Sequence, residues 1–196
     1  MKYTDLTKKQ KEEYKLIIES ESFDDNYYRL KYKIHKDHDS IVHYLRIGFI
    51  KGYNPSPNFD TKFYLKTYPD VKKAKINPFI HYLKYGKKGH RIPKGLTQKE
   101  TKKLKLSQKN IMDYLTIQTY DEFDKEYYLK NYNLKNYKDP IAHYLEIGVY
   151  KDYNPSPNFD TKFYLKTYPD VKKAKINPFI HYLKYGKKGN RIPKKI

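Results

Sequence analysis

The stretch FDTKFYLKTYPDVKKAKINPFIHYLKYGKKGHRIPK, residues 59–94, decides the fold, because the chain spells it twice. Residues 53–94 return as 153–194 with a single change, His90 against Asn190. Within the stretch, Asp60 precedes Thr61-Lys62-Phe63-Tyr64-Leu65, so its carboxylate is placed to accept from the first free amides of a short helix. Pro69 suits the first turn of a second helix over 69–74, where a missing amide costs nothing. Asn77 followed by Pro78 opens a third, which runs through Phe79, Ile80, His81, Tyr82, Leu83, Lys84 and Tyr85 until Gly86 stops it. No segment alternates with a period of two over any length, so no strand is assigned.

The copying extends beyond the identical block. Leu6, Thr7, Lys9, Tyr14 and Ile17 sit 100 residues before Leu106, Ser107, Lys109, Tyr114 and Ile117. A shorter period runs inside each half, since Phe23-Asp24, Phe59-Asp60, Phe123-Asp124 and Phe159-Asp160 each open a module. Each module then reaches His-Tyr-Leu, at His43, His81, His143 and His181, and a glycine, at Gly48, Gly86, Gly148 and Gly186. The first and third modules carry Asp39 and Asp139 where Asn77 stands, which keeps the capping chemistry. The expected fold is all-α, tandem repeats of short helices: four modules in two duplicated units. Unit A spans 1–95 (modules 23–58 and 59–94), and unit B spans 96–196 (modules 123–158 and 159–194). Residues 7–19 and 107–118 read as longer amphipathic helices, begun by Thr7 with Gln10 in capping-box spacing and by Ser107. Residues 94–101 read as the linker between units.

Composition narrows the partners. The formal charge of +20 comes from 42 basic against 22 acidic residues, and only Arg29, Arg46, Arg91 and Arg191 of the basic ones are arginine. Such a field favours polyanions, while lysine, a hydrated point charge, suits base-specific readout poorly. Cysteine is absent, which excludes disulfides and thiolate metal sites. No apolar run follows Met1-Lys2 and none elsewhere is long enough to span a bilayer, so a cytoplasmic chain is expected, with peripheral contact at the inner membrane face.

Most residues with chemistry to offer also have a plainer role. Four equivalent histidines, each before Tyr-Leu and none with a second ligand at helical spacing, read as packing and hydrogen-bonding residues rather than as acid–base groups. Asp37-His38-Asp39 has the spelling of a divalent-cation site, but its copy reads Tyr137-Lys138-Asp139, and only the capping aspartate persists. Phosphate-cradling and dinucleotide fingerprints are absent, and no nucleophile has an arranged base, so no catalytic residue, cofactor or metal is assigned. The leading binding candidate is the loop Gly86-Lys87-Lys88-Gly89-His90-Arg91 with its twin at 186–191. There Lys87, Lys88, Arg91, Lys187, Lys188 and Arg191, with free amides after a glycine turn, are expected to hold a phosphate or carboxylate. The competing reading is a helix stop whose lysines complement the carbonyl end of the helix dipole.

One combination of motifs is distinctive. Phe23-Asp24, Asn54-Pro55-Ser56-Pro57-Asn58-Phe59-Asp60, Tyr64-Leu65, Tyr68-Pro69-Asp70-Val71, Asn77-Pro78, His81-Tyr82-Leu83 and Gly86 together resemble the repeats attached to many bacterial and archaeal glycosyltransferases and other cell-surface polysaccharide biosynthesis proteins. The resemblance implies an accessory, all-helical module of that machinery. Its partner would be a glycosyltransferase or another polysaccharide-assembly protein, or an anionic glycan or membrane surface. Where members commonly read Gly-x-x-Glu-Gly-Arg, this chain has Gly86-Lys87-Lys88-Gly89-His90-Arg91, so no role tied to that glutamate carries over. Two further classes remain: a nucleic-acid binder using lysines with interleaved tyrosines, and a small transferase.

Overall fold

The computed structural model describes residues 1–195, and among them it is all-α, with tandem modules of short helices and no strand beyond isolated bridges at Ser56–Phe59 and Ser156–Phe159. The chain divides into two compact units, Met1–Gly95 and the part from Leu96 onward, each with its own apolar core. In the first unit a 13-residue helix α1 (Lys8–Ser20) leads into α2 (Asp25–Tyr32), α3 (Ser40–His43), α4 (Thr61–Thr67), α5 (Pro69–Lys73) and α6 (Pro78–His81). The second unit holds α7 (Gln98–Leu104), α8 (Ile111–Gln118), α9 (Lys125–Asn131), α10 (Pro140–Glu146), α11 (Thr161–Thr167), α12 (Pro169–Lys173) and α13 (Pro178–His181).

The helix starts follow side-chain chemistry. Asp24, Asp60, Asp124 and Asp160 each accept from the third amide of their helix, from Tyr27, Phe63, Tyr127 and Phe163 at 2.8–2.9 Å. Asp39, Asn77, Asp139 and Asn177 cap the module's last helix in the same way. The capping box of Thr7 and Gln10 forms as its spacing predicts. Two expectations are corrected. Residues 94–101 are no plain linker, because Thr97 and Glu100 form a second capping box that starts α7. Ser107 does not cap a long helix: a 3-10 turn (Gln108–Asn110) precedes α8, and Ser107 donates its amide and hydroxyl to Glu146 at 2.7 and 2.8 Å.

The final helix of three modules does not end in α geometry. Tyr44–Gly48, Tyr82–Gly86 and Tyr182–Gly186 form π turns, in which, for example, the Lys87 amide donates to the Tyr82 carbonyl at 2.8 Å. A π turn widens the helix by one residue per turn. In all four modules, with or without a π turn, the terminal glycine meets a buried tyrosine: Tyr28, Tyr64, Tyr128 and Tyr164 are all fully buried, and a methyl on the matching glycine would fall on the hydroxyl of each. In the third module α10 stays α through Glu146, whose carboxylate is held by Ser107 and Asn110, and a 3-10 turn (Gly148–Lys151) follows.

Tyrosine hydroxyls also tie successive elements. Tyr14 of α1 donates to the capping carboxylate of Asp39 at 2.9 Å, and Tyr44 donates to the capping amide oxygen of Asn77 at 3.1 Å. The second unit repeats both links, Tyr114 to Asp139 at 2.8 Å and Tyr144 to Asn177 at 3.2 Å. A cap that accepts from its own helix and from the preceding element fixes stacking order as well as helix start.

Candidate functional site

The histidines of the repeat signature have a defined structural partner. Nδ1 of His43, His81, His143 and His181 lies 2.8–3.0 Å from the hydroxyl of Tyr28, Tyr64, Tyr128 and Tyr164. Burial raises the tyrosine pKa in every case, Tyr164 to about 12, and burial lowers that of each histidine. Both shifts keep the pair neutral, so each phenol and imidazole share a hydrogen bond between two uncharged groups. His81 bonds inward to Tyr64, while Tyr85, whose ring lies 5.7 Å from it, remains 64% exposed.

The basic loop is built differently from its expectation. Its amides are not free: Lys87, Gly89, His90 and Arg91 donate to the carbonyls of Tyr82, Tyr85, Lys87 and Gly86, and the twin loop repeats all four bonds. A backbone cradle for an anion is therefore closed. Arg91 is not available either, because its guanidinium grips Asp70 with two bonds at 3.1 and 2.7 Å and lies 4.6 Å over the Tyr68 ring. That grip holds the Asp70 carboxyl below the usual carboxylate range. Arg191 repeats it on Asp170 and Tyr168. The Tyr68 hydroxyl accepts the Ile92 amide at 2.6 Å, so the arginine and the tyrosine together strap the exit segment onto the module. Lys187 is ion-paired with Glu122.

Lys87, Lys88 and Lys188 remain exposed and, among the described residues, engage no acidic partner. In the first unit they follow exposed Lys84 and Tyr85 on the same outward turn. Lys184 is partly covered and stands 3.7 Å from Asp113 of α8, whereas Lys84 is exposed near the counterpart acid, Glu13 of α1. Asp37, His38 and Asp39 gather no metal set, and no group of three His, Cys, Asp or Glu suited to a metal ion occurs among the described residues.

Sequence reasoning missed a cleft of about 610 Å³ in the first unit, between the start of α2 and the segment before α4. Its floor is Phe23, Phe79 and Tyr82, and Asp24, Asn26 and Asn58 stand on its wall. The available signal was divergence: Glu21-Ser22 and Asp25-Asn26 become Asp121-Glu122 and Lys125-Glu126 in a chain whose other half is copied almost without change.

No family model matches the chain, and no curated protein or solved structure is similar enough to align with it.

Proposed function

We propose that this protein is a non-catalytic helical-repeat scaffold of cell-surface polysaccharide machinery, which docks through its lysine loops onto an acidic partner. The partner would be a glycosyltransferase or other assembly protein, or a phosphate-bearing glycan or anionic lipid surface at the inner membrane face. The observation that carries this reading is the pair of exposed lysine loops at equivalent places in two units, with Lys87, Lys88 and Lys188 unengaged while neighbouring arginines are committed. Linked weak cationic sites bind an extended polyanion better than one site does. Support also comes from how completely the reactive side-chain types are used by the fold: histidines on tyrosines, capping carboxylates on amides, arginines on aspartates. Among the described residues no helix is long and apolar enough to cross a membrane, which fits peripheral docking.

Co-sedimentation with phosphatidylglycerol vesicles, and separately with polyphosphate, tests the reading and separates a lipid source from a polymer source. Neutralising Lys87, Lys88, Lys187 and Lys188 should weaken binding more than neutralising Lys8, Lys9, Lys11 and Lys15 of α1. Both should lose affinity steeply with salt. Equal losses in the two variants would mean that only total charge matters. A second reading, single-stranded nucleic acid, is favoured by Tyr85 and Tyr185, which are 64% and 62% exposed beside the loops and offer stacking faces.

A further inference from the structure

The cleft of the first unit has a floor and a wall of different chemistry. Phe23 and Tyr82 are half-buried and give the floor its ring surface, with Phe79 almost wholly buried behind them. Phe59, also on the lining, packs edge-on against Phe79 at 5.2 Å and tilted against Tyr82 at 5.4 Å, so these rings are fixed in place. The wall is polar. Asp24 uses one carboxylate oxygen to cap α2, leaving the other oxygen unclaimed, while Asn26 and Asn58 are exposed at the mouth.

The lining carries Glu21, Asp24 and Asp25 and no basic side chain, so it opposes an anion entering. Asp25 is paired with Arg29 and adds little net field. What suits fixed ring faces bordered by carboxylate and amide groups is an uncharged polyhydroxylated ring. Its C–H face rests on the aromatic floor, and its hydroxyls both donate to carboxylate and accept from amide.

The two units differ at this place in one decisive respect. The floor residues Phe59, Phe79 and Tyr82 belong to the duplicated block and recur as Phe159, Phe179 and Tyr182. Asp24 and Asn58 of the wall also recur, as Asp124 and Asn158, but Ser22 is replaced by Glu122 and Asn26 by Glu126, and Lys187 pairs with the Glu122 carboxylate. Lys87, the equivalent lysine, has only a serine opposite, and Phe23 is partly exposed where Phe123 is buried. We infer that the first unit carries a binding cleft for an uncharged hexopyranose unit of a glycan, and that the Lys187–Glu122 pair latches the equivalent place in the second unit. This site stands apart from the lysine loops, since its ligand is neutral and theirs is anionic.

The test is calorimetric titration of the full chain with uncharged oligosaccharides of glucose, galactose, mannose and rhamnose, at low and high salt. At least one should bind, with an affinity that changes less than about twofold with salt, because no net charge is neutralised. Ser22→Glu installs the latch of the second unit and should weaken binding at least tenfold, and Asn58→Ala, an exposed change that spares the core, should weaken it severalfold. The inference is overturned if no uncharged oligosaccharide binds, if binding falls steeply with salt, or if Ser22→Glu and Asn58→Ala bind as the wild type does. Polyanion binding by the lysine loops has the opposite salt response, so either site can fail without the other.

Discussion

Replacing Gly148 with alanine should be among the most damaging single-methyl changes in this protein. The added carbon falls on the Tyr128 hydroxyl, which is fully buried and bonded to His143 at 2.8 Å. Forcing a methyl into a packed core costs about 1–3 kcal/mol. Moving the hydroxyl away also breaks a buried hydrogen bond, worth a further 1–3 kcal/mol or so when a partner is left unsatisfied. Against this, alanine in a helical turn gains about 0.5–1 kcal/mol over glycine. The expected net loss is about 2–4 kcal/mol. In a Tyr128→Phe background the hydroxyl is gone, and the nearest ring carbon, Cζ, stands at 3.2 Å from the new methyl, a contact that yields with a small ring shift. There the same change should cost about 1 kcal/mol or less, giving a coupling near 2 kcal/mol. Urea denaturation of the four proteins measures the cycle, and hydrogen exchange at the amides of α9 and α10 assigns the loss to the second unit. Equal losses in both backgrounds would refute the claim that this glycine is required by the tyrosine above it.

Further outcomes follow from the same geometry. Asp60→Ala and Asp160→Ala should each lower stability in chemical denaturation by about 1 kcal/mol, the usual value of a helix cap. Glu146→Ala removes the acceptor of the Ser107 amide and one of two acceptors of buried Asn110, and should cost about 1–3 kcal/mol, whereas Arg46→Ala, at the same position of the first module, should do much less. Acid should destabilise the fold ahead of carboxylate protonation. Burial holds all four module histidines below their unfolded value of about 6.5, so the unfolded chain binds more protons in that window. Their stabilisation is complete above about pH 6.5 and is lost as pH falls towards the folded values. A melting temperature that is flat between pH 7.5 and 5.5 would contradict this, and His81→Gln should reduce the fall.

The parts of the fold that were legible in sequence are those set by neighbours in the chain. Asp60, Asn77 and Thr7 act on amides two or three residues away, so their roles could be read without knowing anything distant. Thr97-x-x-Glu100 carried the same local message but lay in a stretch taken for linker. The π turns were not legible, because nothing within the turn marks them: Gly148 meets Tyr128 as Gly86 meets Tyr64, yet only the helix ending at Gly86 widens. Arg91 looked like a free cation for a related reason: its partner Asp70 lies on α5, and only folding brings the two together. The departure of Glu146 from the basic residues at 46, 84 and 184 was visible, yet its meaning depends on Ser107 across the unit.

Because residues 53–94 and 153–194 share all but one side chain, the molecule contains its own reference sample. Helix propensities, capping residues and unfolded-state entropy cancel between the twins. What does not cancel is environment: Leu83 is partly exposed where Leu183 is buried, and Lys84 is exposed where Lys184 is partly covered beside Asp113. The one substitution falls where φ is +54° at His90 and +53° at Asn190, a conformation that asparagine tolerates well. Comparing exchange rates amide by amide along the two copies therefore isolates, within one tube and one spectrum, the free energy that tertiary surroundings add to an otherwise constant polypeptide.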